Sequence, residues 1–340
     1  MRRNISLRLV PVLLVLICLF GCGSGEPQRN NGETQGSGGG SRPQGSAGGD
    51  ASGMETEASG EQEEPRDPGT AYQAPAFADS SFHAELAEGN ENVKLDLSSV
   101  SLGYVGLSVK AGSRVKMQVT KDGQKYNYDV PSDGTPIIFP LQCGDGSYDF
   151  FVGEQVEAGK YAALYTTQTE VTLQDEFQPF LRPSAYVDYN QESKCVLKAA
   201  ELAQQAGDAL GVVEAVFEYI CDTVTYDKEK AKELQGKSGY MPVLDETLES
   251  GKGICFDYAA LAAGMLRSQG IPTKMVFGNV SPDDVYHAWN MFYTDQTGWV
   301  TVKYEVKAGE WNRLDLTFSA NGADADFIGD GSNYADVYYY

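Results

Sequence analysis

The chain has 340 residues, with 26 Lys and Arg against 48 Asp and Glu, and a net charge of −22. So acidic a chain, with a pI of about 4.4, excludes the nucleic-acid-binding classes, which need a basic footprint for phosphates. Apolar residues are 41% and aromatics 11% of the chain, enough for a core, and the length implies two domains or one domain with long appendages.

The N-terminus reads as an export signal. Arg2, Arg3 and Arg8 precede an uncharged apolar run from Leu9 to Phe20. That run is shorter than the roughly 20 apolar residues a membrane-spanning helix needs, and it fits the hydrophobic region of a signal peptide. It closes on Leu19-Phe20-Gly21-Cys22, which resembles a bacterial lipobox. Residues 1–21 are therefore expected to be a lipoprotein signal peptide, Cys22 the lipidated residue, and the protein extracytoplasmic and lipid-anchored to the bacterial cell membrane.

Residues 22–79 are expected to be a flexible tether. Gly, Ser, Glu, Gln and Pro dominate, and Gly38-Gly39-Gly40 and Glu61-Gln62-Glu63-Glu64 are typical. Such a segment cannot bury enough apolar surface to offset its ordering entropy.

Residues 80–182 change to short strands. Val93, Leu95 and Leu97 alternate with polar residues, as do Val115, Met117 and Val119. Lys121-Asp122-Gly123-Gln124 turns the chain into Tyr126-Asn127-Tyr128, and Asp133-Gly134 and Asp145-Gly146 mark further turns. Strand-like runs follow at Tyr148–Val152, Tyr161–Tyr165 and Val171–Leu173. Many short strands with Asp-Gly turns predict an antiparallel, sandwich-like module. No catalytic constellation falls in it, so a spacer or substrate-presenting role is expected.

Residues 183–340 turn helical, then mixed. Val212, Val216, Tyr219 and Ile220 form one apolar stripe. Tyr258, Leu261, Ala262, Met265 and Leu266 form another, closed by Gly270 and Pro272. Strand-like segments follow at Lys274–Phe277, His287–Tyr293, Trp299–Tyr304 and Trp311–Leu316. The order of elements predicts an α+β domain, helices first and strands later.

Of six cysteines, Cys18 leaves with the signal and Cys22 carries lipid, leaving Cys143, Cys195, Cys221 and Cys255. There is no CxxC pair, so neither a zinc site nor a disulfide framework is expected, although one bridge among Cys143, Cys195 and Cys221 stays open. Cys255 differs from the rest. Gly251-Lys252-Gly253-Ile254 precedes it, and a helical stripe starts immediately after it. The first amides of a helix lack internal acceptors and carry partial positive charge, which favours a thiolate and can hold an oxyanion. Only two histidines exist, His83 and His287. His83 lies at the edge of the strand module with no motif around it, whereas His287 lies on a predicted strand that can bring a base to the thiol. Asp315, at another strand end, can orient the imidazole and stabilise its cation.

Three segments now resemble a family. Cys255-Phe256-Asp257-Tyr258-Ala259, His287-Ala288-Trp289-Asn290 and Arg313-Leu314-Asp315-Leu316-Thr317 are similar, in that order, to the Cys, His and Asp motifs of the transglutaminase-like superfamily. Val224-Thr225-Tyr226-Asp227 and the run from Arg267 to Pro272 share the likeness, which covers about residues 193–320. Leu316 stands where the family usually has Pro, and the interval from His287 to Asp315 is long. The resemblance implies a papain-like α+β core and thiol-dependent acyl transfer by Cys255, His287 and Asp315, without cofactor or metal. Water as acceptor makes a peptidase or amidase acting on an extracytoplasmic protein or peptide, which is the first expectation. An amine acceptor makes a cross-linking transglutaminase, and a non-catalytic binding module on the same fold is the third reading. Asp324, Asp326 and Asp330 do not match a calcium-loop spacing and read as an acidic tail.

Overall fold

The structure is a computed structural model that describes residues 71–280, 285–301 and 334–340. Cys22 and Asp315 lie outside the described residues, as do Asp324, Asp326 and Asp330 and the predicted strand at Trp311–Leu316.

The first part is antiparallel β. Strands β1 (Glu88–Gly89), β2 (Val93–Asp96) and β3 (Tyr104–Val109) are followed by β4 (Val115–Lys121), β5 (Gln124–Val130) and β6 (Ile137–Pro140). The long hairpin β7 (Gly146–Glu157) and β8 (Lys160–Val171) completes it. One sheet has the order β1-β2-β3-β6 and a second β5-β4-β7-β8. The alternation read from sequence is the observed pleat: Val115, Met117 and Val119 are buried, with Lys116, Gln118 and Thr120 between them only partly covered. Val93, Leu95, Val105, Leu107, Phe139 and Phe150 belong to the same apolar cluster. Asp122 and Gly123 have φ of 51° and 83°, the left-handed pair that a two-residue hairpin turn with the strands' own twist requires.

The run at Tyr161–Tyr165 and the first residue of the run at Val171–Leu173 belong to the single strand β8, which ends at Val171. Its residues 160–170 are exposed or only partly covered, so burial imposes no period on the intervening Thr and Gln residues. A strand without a buried face carries no alternating signal.

The second part begins with α1 (Lys194–Ala203) and α2 (Ala209–Thr223), the latter capped by Asp208, whose carboxylate accepts the Gly211 N–H at 2.8 Å. A two-residue strand β9 (Thr225–Tyr226) and short helices α3 (Lys228–Leu234) and α4 (Leu244–Ser250) follow. Strand β10 (Lys252–Gly253) pairs in parallel with β9 and delivers the chain into α5 (Cys255–Ser268). The remaining strands are β11 (Thr273–Val280), β12 (Val285–Thr294), β13 (Gly298–Thr301) and β14 (Tyr334–Tyr339). They form one antiparallel sheet of order β13-β12-β11-β14. β14 is not expected from the sequence; it pairs with β11 from Val276↔Tyr339 to Val280↔Tyr334. A tyrosine-rich run at the chain end gives no helical or alternating pattern that names its partner.

Helix α5 is buried almost all round, which is why its apolar residues outnumber a single stripe. At Gly264 a Cβ would lie 2.3 Å from a Leu244 side-chain carbon, so only glycine lets α4 approach this closely. The helix stops at Gly270, φ 75°, with the Ile271 N–H returning to the Leu266 carbonyl at 3.1 Å.

The β part and the helical part share packing. Tyr128 of β5 lies 5.4 Å from Tyr186, and Tyr186 lies 5.3 Å from Phe256, ring centroid to centroid. Tyr126 meets Tyr338 at 5.5 Å, and Tyr340 meets Phe277 at 5.3 Å. Part of the expected tether also docks. The Tyr72 N–H donates to the Ala206 carbonyl at 2.7 Å, the Tyr72 hydroxyl to the Gln269 carbonyl at 2.9 Å, and Phe77 packs edge-on against Tyr189.

Arg267 explains the run from Arg267 to Pro272. The side chain is fully buried and points into a ring of acceptors rather than at a carboxylate. Its guanidinium donates to the carbonyls of Thr273 at 2.9 Å, Arg182 at 3.1 Å and Tyr340 at 2.9 Å, and reaches the Ser184 hydroxyl at 3.4 Å. Burial lowers its pKa to about 10, which still leaves it charged at neutral pH.

Candidate active site

Cys255 is the first residue of α5 and is half-buried. The preceding Ile254 is extended, with φ −95° and ψ 175°, and its carbonyl accepts the first intrahelical bond from Tyr258 N–H at 3.1 Å. The amides of Cys255, Phe256 and Asp257 therefore have no acceptor within the helix, as at any helix start. A helix start of this kind is where backbone amides favour a thiolate and can hold an oxyanion.

Asp257, quoted in the motif but given no role by sequence, organises this turn. It is fully buried. Its Oδ2 accepts the Ile254 N–H at 2.8 Å and lies 2.8 Å from Lys230 Nζ, while its Oδ1 accepts the Tyr240 hydroxyl. The Ile254 bond is one half of a capping box; Ile254 has no side-chain acceptor to supply the other. An Asp three residues past the N-cap is a readable signal, but Lys230 and Tyr240 come from elements brought in only by folding.

His287 lies on β12 and is 1% exposed. Its ring stacks near Trp289, 6.2 Å between centroids, and its partner across β11 is Gly278. Two contacts orient α5 on this sheet. Phe256 packs on Phe277 at 5.0 Å, and Phe277 pairs with Ala288. One helical turn later, Asn290 Nδ2 donates to the Ala259 carbonyl at 2.9 Å. Helix and strand thus run in the same direction, and the Cys255 end of α5 lies at the His287 end of β12. Alternation puts Ala288, Asn290 and Phe292 toward α5 and His287 with Trp289 on the opposite face. Strand β13 pairs only with Met291–Thr294 of β12, leaving β11 as the described neighbour of the His287 segment.

The structure brings Cys255 and His287 to one end of an α5–β11–β12 unit. His83 is elsewhere, its Nδ1 3.1 Å from the buried Asp96 in the β part. Among the described residues no group of three or more His, Cys, Asp or Glu is placed to hold a metal ion.

A buried helix that opens on Cys255, laid along the strand that carries His287, makes this an α+β domain. Residues 198–304 match the family model of the transglutaminase-like superfamily, and the chain carries a domain of that superfamily. No curated protein matches the chain. Similar solved structures include a provisionally assigned cysteine protease from Cytophaga hutchinsonii, 16% identical, covering 75% of this chain and 73% of that one with a TM-score of 0.36. LapG of Legionella pneumophila is 17% identical over 42% of this chain and 69% of its own, TM-score 0.28. Red sea bream transglutaminase is 14% identical over 63% of this chain and 48% of its own, TM-score 0.25.

Proposed function

We propose that this protein is a thiol acyl-transfer enzyme that hydrolyses amide or peptide bonds, with Cys255 as nucleophile, His287 as acid and base, and Asp315 orienting the imidazole. The observation that carries the reading is the parallel seating of α5 on β12, which sets the Cys255 helix start at the His287 end of the strand. The chemistry follows from the parts. The Cys255 thiolate attacks the carbonyl carbon, and the resulting oxyanion faces amides at the start of α5. The C–N bond breaks as the imidazolium gives its proton to the leaving amine. Water, deprotonated by the imidazole, then attacks the thioester and releases a carboxylic acid and the free thiol.

The test is to form the acyl-enzyme on Cys255 with an activated acyl ester, then offer water alone or water with a labelled primary amine. Release of free acid with little amine incorporation is expected. Dominant amine incorporation would make the protein an amine-transferring transglutaminase. Absence of any Cys255 acylation would leave a binding module.

The enzyme is further proposed to act outside the cytoplasm, tethered by lipid at Cys22. Support comes from Leu19-Phe20-Gly21-Cys22 and the apolar run before it. Cys22→Ala is expected to move the protein from the membrane fraction to the soluble fraction of cells; unchanged partitioning would remove the anchor from the proposal.

A further inference from the structure

Asp257 creates a conflict at the start of α5. A carboxylate near a helix N-terminus stabilises the helix by complementing its positive end. The same negative charge, two residues from Cys255 and folded back onto the Ile254 amide, opposes ionisation of the thiol. The conflict is resolved by the Lys230 ammonium, 2.8 Å from Asp257 Oδ2. That ammonium also sits 4.7 Å from the centre of the Tyr240 ring, whose hydroxyl donates to the other carboxylate oxygen. The Asp257 side chain is fully buried, whereas Lys230 is 29% exposed.

We propose that Lys230 is a positioning residue for the Cys255 site: its pairing with Asp257 lets the carboxylate hold the α5 entrance through hydrogen bonds without its charge suppressing the thiolate. This rests on the reading of Cys255 as the nucleophile.

The other charged groups near the pair act less directly. Asp227 caps α3 through the Lys230 N–H, and Glu249 pairs with Lys194. Glu246 on α4 and Lys252 on β10 face, with Lys230, a cleft of about 480 Å³. On the sheet side of α5 the titratable groups are Tyr286 of β12, Tyr186 and Tyr340, which ring Phe256 and Phe277, while His287 lies on the other face of β12. None of these is hydrogen-bonded to the Asp257 carboxylate among the described residues.

The experiment is the pH dependence of Cys255 alkylation by iodoacetamide in the full chain, followed by peptide mass spectrometry. Lys230→Met is expected to raise the midpoint by about one pH unit, because it uncovers a negative charge beside the thiol. Lys230→Arg keeps the cation and is expected to keep the wild-type midpoint. Asp257→Asn retains an acceptor for the Ile254 amide but removes the charge, and is expected to lower the midpoint. Should Lys230→Met not fold, Asp257→Asn alone decides: a lower midpoint supports the assignment, and an unchanged or higher one overturns it. An unchanged midpoint in folded Lys230→Met overturns it equally. A wild-type midpoint at the free-thiol value would sink the enzyme reading, while the differences between variants would still decide the role of Lys230.

Discussion

Replacing His287 by alanine is expected to slow alkylation of Cys255 roughly ten-fold at pH 7 and to lower turnover about 10²–10⁴-fold. The two figures differ for a physical reason. Without the imidazole the thiol returns toward a free value near 8.5, where only a few per cent is thiolate at neutral pH. The remaining thiolate is intrinsically somewhat more nucleophilic, which offsets part of the loss in simple alkylation. Turnover suffers more because the leaving amine and the attacking water also lose their proton partner. His287→Gln preserves bulk at this buried position and separates loss of the base from a packing defect. Internal controls exist in the same chain. Burial raises the pKa of the Cys143 thiol, and burial together with Asp245 raises that of Cys195 further, so both are expected to label slowly. Equal labelling of Cys255 and these thiols in folded wild-type protein, with no effect of His287→Ala, would end the enzyme reading.

Arg267→Leu is expected to destabilise the protein by about 3–5 kcal/mol. The guanidinium supplies donors to three backbone carbonyls and one hydroxyl. Each acceptor left dry and unpaired costs roughly 1–3 kcal/mol, and removal of a costly buried charge offsets part of the sum. For a chain of this size that is a fall in Tm on the order of 10 °C. Arg267→Lys recovers only part of the loss, because a single ammonium cannot span acceptors that a planar fork reaches together. Thermal unfolding followed by circular dichroism measures it, and a Tm unchanged in Arg267→Leu would show that water or repacking replaces the guanidinium without penalty. The residue joins the end of α5, the connection at Arg182–Ser184 and the chain beside β11, so its loss is expected to loosen the sheet that carries His287 as well.

The β part contributes to the same neighbourhood. Tyr186 contacts both Tyr128 of β5 and Phe256, the residue after Cys255. The expected spacer is thus also a wall of the core that holds the α5 entrance.

Features governed by short-range physics were legible in the sequence. The α5 stripe from Tyr258 to Leu266 and its stop at Gly270 follow from helical period and the left-handed conformation a glycine accepts. The β4–β5 hairpin follows from Asp122-Gly123, which supplies the two positive φ angles of its turn. The site motifs around Cys255 and His287 were legible too, as residue types in a fixed order along the chain. Other features depended on which distant elements meet, and no local pattern records that. β8 buries only Val171 fully, so most of its length left no strong alternation. β14 pairs with β11 across a long stretch of chain, and its Tyr338 meets Tyr126 only in the folded aromatic cluster. Arg267 stood in the sequence only as the start of a family-like run, and tertiary packing strips its water and surrounds it with carbonyls. Asp257 stood in the sequence only as part of the Cys motif; only folding brings Lys230 and Tyr240 against it, because a charge buried beside a helix start must find its counter-charge wherever the chain can supply one.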